Sequence, residues 1–524
     1  MAHNPSDAEC IRFIQERVAI CSSRHDCPRN KTLLPKRVID LGHDENSLRL
    51  YESCNESEVY AILSYCWGEC SGLLKTTSTT LESFKQEILW QQLPQTIQDA
   101  MIIIQRLGLR YVWVDSLCIV QDSYKDWETE AAKMGQYYRN AYITIAASSS
   151  ASAQCGILKD RMTISEPKMV LFSGEDMMDY FIIAQARPAR LWPSPVHDLG
   201  PLTERGWTFQ EHALSTRMIH FLDSEVIWEC RSEMISEDGH PIQDNTYSLI
   251  REISEIMKSP ETAWRFCVRV YSSRALSILD DKLPAISGIA SHFQQKTGYS
   301  YLAGLWKETL DVDLVWSSWG WEEADKPPQI LEGPSWSWAS IHGGVAFDME
   351  DINDCTHVKT LLVIKGVQCK SKGTNAFGQV TEGILEVTGP LQEFQLEFRG
   401  GLDEFGVPKF YLIQNGNSSL TFFADTSLEQ VDILNEYGVR IRTVQRTSAA
   451  PVPFRGKVWC LWCLIADIEA SEMQRWFEME PMRLHGIVLA KSPKSANLYT
   501  RIGSVCDKRR TVPDGTPVET ISIG

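Results

Sequence analysis

The 524-residue sequence predicts an α/β fold with an open, mainly parallel sheet over residues 58–230, a mainly helical region over 231–354 and a β-rich domain over 355–524. Residues 1–57 read as an N-terminal extension. Three observations carry this prediction. Short apolar runs alternate with helix-period segments between 58 and 147, the pattern becomes largely helical from about 245 to 320, and closely spaced strand signals take over after about 355. A chain of this length exceeds what one hydrophobic core serves, so several domains are expected.

The elements follow in order. Val59–Tyr65 (VYAILSY) is an apolar run with strand character, closed by Trp67 and Gly68. Ile97, Met101, Ile104 and Leu107 recur at helical spacing, and Gly108 stands where a helix-terminating glycine belongs. Tyr111–Val114 (YVWV) is apolar at consecutive positions, as a parallel strand covered on both faces requires. Trp127, Ala131, Met134 and Tyr138 mark a second amphipathic helix, with Ser123 and Asp126 at capping-box spacing before it. Tyr142–Ala147 (YITIAA) supplies another strand, and Trp207–Leu214 a short helix. Met218–Phe221 and Val226–Glu229, with Leu222, Asp223 and Ser224 in the connection between them, read as a hairpin. Beyond 355 the strands are LLVIKGV, GILEVTG, KFYLIQ, SLTFFAD, VWCLWCLIA, HGIVLA and LYTRIG. The acidic segment Asp348–Asp354 is a candidate linker before them, or a solvated turn.

Composition excludes several function classes. Hydrophobic residues make up 43% and charged residues 23%, values ordinary for a globular protein and unlike a disordered one. The net charge of −17 is spread along the chain with no long basic run, so nonspecific nucleic-acid binding is not expected. The longest apolar run, Val458–Ala466, falls far short of the ~18 residues of a membrane span, and the N-terminal segment lacks the core of a signal peptide. A soluble, cytoplasmic protein with no membrane partner is therefore expected. Fifteen cysteines in so long a chain do not make a disulfide scaffold. Cys21, His25 and Cys27, with Cys10 upstream, have zinc-ligand chemistry, but no second CxxC or HxxxH completes the spacing. Buried thiols and no metal are the expectation.

Local motifs add little on their own. Gly401–Lys409 (GLDEFGVPK) fails as a phosphate loop, because Pro408 splits the Gly–Lys pair and no hydroxyl follows Lys409. Cys66 and Cys118 lie beside apolar strands, where thiols are packing groups. Trp336 and Trp338 in PSWSWAS alternate as in a strand and read as core.

Taken together, three segments in order are specific. Tyr60–Gly68 (YAILSYCWG), Leu93–Ala147 and Arg205–Ser215 (RGWTFQEHALS) resemble the three blocks of the fungal heterokaryon-incompatibility (HET) domain. Leu283–Ala290 and Pro334–Ser340 resemble segments that often follow it. The resemblance implies a role in vegetative incompatibility, the programmed cell death that follows fusion of unlike hyphae. It also implies a TIR-like fold, self-association and, as in several TIR proteins, cleavage of NAD. No NACHT, WD-repeat or ankyrin segment accompanies the domain, so the trigger and partner protein stay open. His212 stands where the resemblance leads one to expect Arg or Lys.

In TIR enzymes a Glu follows a Trp by four residues, and here Glu211 follows Trp207 by four. The i, i+4 spacing puts ring and carboxylate on one helix face. A carboxylate there would stabilise the oxocarbenium character that develops as the nicotinamide–ribose bond breaks. A surface acid or salt-bridge partner is the alternative role, and Glu130 is the rival acid. Ser64, Tyr65, Trp67 and Gly68 end the first strand, where ligands of open α/β sheets sit. Asp115 ends the next strand and either binds a ribose hydroxyl or caps the following turn. Trp207 would stack on the leaving base. NAD is thus a candidate substrate, and no tightly bound cofactor is expected. Against the enzyme stands a binding and assembly module that acts through partners.

Overall fold

The computed structural model describes residues 4–28, 30–42, 48–68, 72–161, 168–173, 179–184, 199–242, 260–319, 329–347, 355–402, 408–414, 418–425, 433–434, 440–441, 454–468, 484–492, 495, 497–507, 509 and 511–524. The chain divides into two compact units, Met1–Ser254 and Glu255–Gly524.

The first unit is built on one eight-stranded sheet. Its strands are β1 (Arg37–Asp40), β2 (Arg49–Glu52), β3 (Tyr60–Ser64), β4 (Tyr111–Trp113), β5 (Ile143–Ala146), β6 (Arg217–Phe221), β7 (Val226–Cys230) and β8 (Met234–Ser236). They lie in the order β8-β7-β6-β5-β3-β4-β1-β2. The central four, β6, β5, β3 and β4, are parallel, and every pairing outside them is antiparallel. The sheet is therefore mixed rather than mainly parallel. The expected hairpin of β6 and β7 extends it on one side. On the other side are β1 and β2, which come from the segment read as an N-terminal extension.

Burial explains the central strands. Every residue of β3 and β5 is buried, as parallel strands covered on both faces require. The covering helices are amphipathic. In α3 (Gln95–Arg106), Ile97, Met101 and Ile104 are fully buried, and Gly108 (φ 75°) ends it where the sequence placed the stop. Burying each such side chain contributes about 1.5–3 kcal/mol. In α5 (Tyr124–Asn140), Ser123 Oγ accepts the Asp126 N–H at 3.3 Å, which is half of the expected capping box. The Asp126 carboxylate turns elsewhere, to Arg37, Lys36 and the Val120 N–H. The other helices described in this unit are α1 (Ala8–Arg24), which packs on β7, α2 (Leu81–Gln86), which packs on β2, the short α4 (Asp115–Cys118), and α6 (Gly206–Leu214), which packs on α5. In chain order β3, β4, β5 and β6 are first to fourth, and in space they run 2-1-3-4. The direction of winding reverses between β3 and β5, which places a crevice beyond their carboxyl ends.

The second unit joins a helical part to a β barrel. Helices Pro260–Ser272 and Ser287–Thr297 belong to the former, and residues 243–259 lie outside the described ones. Six strands, Val380–Leu402, Pro408–Gln414, Ser418–Ala424, Leu498–Asp507, Leu484–Lys491 and Phe454–Ile468, pair antiparallel in that order, and the last pairs with the first. Closure removes the exposed edges that an open antiparallel sheet would leave. Its interior holds Phe394, Leu396, Leu412, Val458, Trp462 and Val488. All seven C-terminal strand signals fall in strands of this unit. The PSWSWAS segment is a turn followed by a 3-10 helix rather than a strand, although Trp336 and Trp338 are core residues as expected. The candidate linker Asp348–Asp354 lies outside the described residues.

Candidate functional site

The parallel strands bring most of the predicted site residues to one end of the sheet. β3 ends at Ser64, whose Oγ donates to Glu211 Oε2 at 2.5 Å. Glu211 reaches this position from α6, which starts after Arg205 and runs along α5. The Tyr138 hydroxyl, on α5, donates to the Leu63 carbonyl at 3.0 Å and also bonds the Glu211 side chain. The carboxylate is thus held between the end of β3 and one face of α5. It is 7% exposed, and burial pushes its pKa up to about 7. The Ser64 and Tyr138 bonds and the Arg205 charge oppose that rise, and Asp115 adds to it.

Asp115 starts α4 directly beyond β4. Its oxygens take the Trp67 Nε1–H at 2.8 Å and the Ser116 N–H at 2.6 Å, the second a contact to the backbone of the following turn. Burial raises the Asp115 pKa, and Trp67 and Arg205 offset part of the rise. Tyr65 is buried, with its hydroxyl on Ser116 Oγ at 2.9 Å. Trp67 is half-buried under Lys75, whose Nζ lies 4.6 Å above the ring. Trp207 is half-buried too, edge-on to Trp127 at 6.5 Å. Gly68 adopts φ 74°, and a Cβ there would lie 2.4 Å from Ser152 Cβ, so glycine is required by backbone shape and by close approach.

Glu130 does not join this group. It is fully buried on α5 and takes the Tyr137 hydroxyl at 2.9 Å. Arg205 lies just before α6. Its Nη1 donates to the Tyr65 carbonyl at 2.8 Å, and its charge acts on both Glu211 and Asp115.

Two contributions escaped the sequence reading. One is Tyr138, which counted only as an apolar face residue. The other is a buried polar chain beside Glu211. His212 Nε2 lies 2.6 Å, and His220 Nε2 2.9 Å, from the same Glu229 oxygen, and His220 Nδ1 lies 3.1 Å from Ser148 Oγ. Burial raises the Glu229 pKa, and the two imidazoles more than offset it, leaving it well below the usual carboxylate range. Burial lowers the His220 pKa. A guanidinium or ammonium at position 212 would meet the same carboxylate, which accounts for His212 where a cation was expected. The signal was Glu229 itself, a charged residue inside the apolar run VIWEC.

No curated protein and no solved structure matches the chain. Residues 60–211 match the model of the family described as Heterokaryon incompatibility protein (HET), an interval that opens at the first residue of β3 and closes on Glu211. The crevice beyond β3 and β5 therefore belongs to a HET domain, which the chain carries over residues 60–211.

Proposed function

We propose that this chain acts in the cytoplasm as a trigger of incompatibility cell death, and that its HET domain does so by cleaving NAD at Glu211. The observation that carries the proposal is a carboxylate buried at the switch point of four parallel strands, with its pKa raised to about 7 and the Ser64 hydroxyl donating to it. The 2-1-3-4 strand order also supports the TIR-like reading.

The chemistry follows from the charges. The nicotinamide ring of NAD is a cation, and its approach favours the ionised form of Glu211. As the nicotinamide–ribose bond breaks, the pair of bonding electrons leaves with nicotinamide, which departs neutral. Positive charge then spreads over C1′ and the ring oxygen of the ribose, where Glu211 stabilises it. Water adds to C1′ and loses a proton, giving ADP-ribose. Trp67 and Trp207, the half-buried aromatics of the rim, offer stacking faces to the base.

One feature favours the alternative of an assembly module that self-associates and signals through a partner. Glu211 is enclosed and already hydrogen-bonded, as a structural acid would be. Induced expression separates the two readings. Glu211→Gln keeps shape and hydrogen bonding and removes the charge, so it should abolish toxicity and NAD loss at equal soluble expression. Glu130→Gln should leave both unchanged. Death with constant NAD in the unsubstituted chain would establish the assembly reading instead.

A further inference from the structure

The cysteine and histidine residues near the N-terminus lacked a fourth ligand in sequence, and the fold supplies one from 200 residues downstream. Cys230, the last residue of β7, brings its sulfur to those of Cys21 and Cys27, and the three Sγ atoms lie within 4.8 Å of one another. His25 Nδ1 is 3.4 Å from Cys230 Sγ. We propose that Cys21, Cys27, Cys230 and His25 Nδ1 form a structural zinc site that ties the end of α1 to β7.

Geometry, environment and charge each support this. A tetrahedral zinc with Zn–S of ~2.3 Å and Zn–N of ~2.0 Å sets S···S near ~3.8 Å and S···N near ~3.5 Å. The 3.4 Å separation from Cys230 already matches, whereas His25 groups with Cys230 and Glu233 rather than with Cys21 and Cys27, so its ring would have to turn toward those two sulfurs as they close on the ion. The sulfurs are closer together than an iron–sulfur cluster would hold them, which points to a single ion. All three cysteines are buried, so the site is closed, as structural zinc sites are. The surroundings are those of metal-bound thiolates. The Arg231 and Ser232 backbone N–H groups donate to Cys27 and Cys230. Glu233 lies 3.9 Å from His25 Nε2, placed to orient the ring from its far side.

Arg217 is the independent observation. Its side chain is fully buried, Nε donates to Cys21 Sγ at 3.2 Å, and its other hydrogen bonds among the described residues go to backbone carbonyls of Tyr142 and Cys27. Among the described residues it makes no ion pair with a carboxylate. A buried guanidinium cannot shed its proton, so it needs an anion. Zinc binding would release to solvent whatever protons the three sulfurs still carry and leave a Zn(Cys)3His centre with one net negative charge, which Arg217 neutralises.

The test uses the full chain, purified under reducing conditions without chelator and then exposed to zinc alone. One zinc per chain is expected by elemental analysis. Cys230→Ser should bind about 100-fold more weakly or worse, and Arg217→Met about 10- to 100-fold more weakly. Cys460→Ser, a buried thiol of the barrel, should bind as the parent does. Because Cys230→Ser risks misfolding, X-ray absorption at the zinc edge of the unsubstituted chain gives a second reading. Three sulfurs at ~2.3 Å and one nitrogen at ~2.0 Å are expected. Absence of zinc, a first shell of nitrogen and oxygen only, or a disulfide among Cys21, Cys27 and Cys230 would overturn the proposal.

Discussion

Arg217 in the N-terminal unit and Arg501 in the C-terminal unit are both buried, yet they are neutralised by different means. Arg501 Nε and Nη2 meet the two oxygens of Asp425 at 2.8 and 3.1 Å, its other donors reach the Leu314 and Trp316 carbonyls, and its plane lies 3.5 Å over the Trp316 ring. The barrel unit thus closes its buried charge with a partner from its own strands and loops. Arg217 faces sulfur instead. The same contrast extends to carboxylates. Asp425 and Asp313 each have an arginine in contact, whereas Glu211 has the Ser64 hydroxyl as donor and the field of Arg205. These C-terminal charges are paired within the protein, as Arg37 and Asp40 are in the N-terminal unit, whereas among the described residues Arg217 and Glu211 have no opposite charge in contact; on the proposals above, a metal ion would answer the one and a cationic substrate the other.

The largest effect should come from breaking the closed pair. Asp425→Ala leaves a guanidinium that cannot deprotonate in the core, so it should cost about 3–5 kcal/mol in denaturant unfolding of the C-terminal unit. Burial raises the Asp425 pKa even beside Arg501. A cost below about 1 kcal/mol would erase the contrast between the two units.

Glu211 should behave in the opposite way. Its folded pKa of about 7 lies above the ordinary 4.5, so the fold prefers the neutral acid. Stability from this group is complete below pH 4.5 and is lost as pH rises through 7, amounting to about 3 kcal/mol. Glu211→Gln stays neutral throughout. Urea unfolding of the N-terminal unit should therefore find the variant close to the parent near pH 4.5 and more stable by up to about 3 kcal/mol at pH 8. A variant less stable at every pH would mark Glu211 as a structural acid.

These positions also show what local sequence reveals. Apolar runs identify β3, β4 and β5 because strands buried on both faces must be apolar throughout. β1 and β2 escape that rule. RVID and RLYE carry charges, and Arg37 and Asp40 are buried only because Asp126 and Arg110, about 90 and 70 residues away, pair with them. The Trp-x3-Glu spacing of α6 is visible locally, whereas the Tyr138 bond to Glu211 depends on how α5 packs against α6. Cys230 is the extreme case. Nothing near it in sequence resembles a ligand set, and only the passage of β7 beside α1 completes one.

The smallest and most diagnostic effect concerns Arg217→Met. In metal-free protein Arg217 donates to Cys21, whose thiol pKa is raised, so this bond of the buried cation is to a neutral sulfur. Met is of similar length, packs in the same space and carries no charge to desolvate. It gives up the bonds to the Tyr142 and Cys27 carbonyls, worth about 1 kcal/mol each, and it removes a desolvation penalty of comparable or larger size. The substitution should therefore change unfolding of chelated protein by no more than about 1 kcal/mol in either direction. With zinc bound the guanidinium faces an anionic centre, and the same substitution should destabilise by about 2 kcal/mol more than it does without metal. The measurement is a pair of urea curves for parent and variant, each with stoichiometric zinc and with chelator. If the variant loses equal stability under both conditions, Arg217 serves only its carbonyl contacts, and the N-terminal unit closes its buried charge without help from a bound ion.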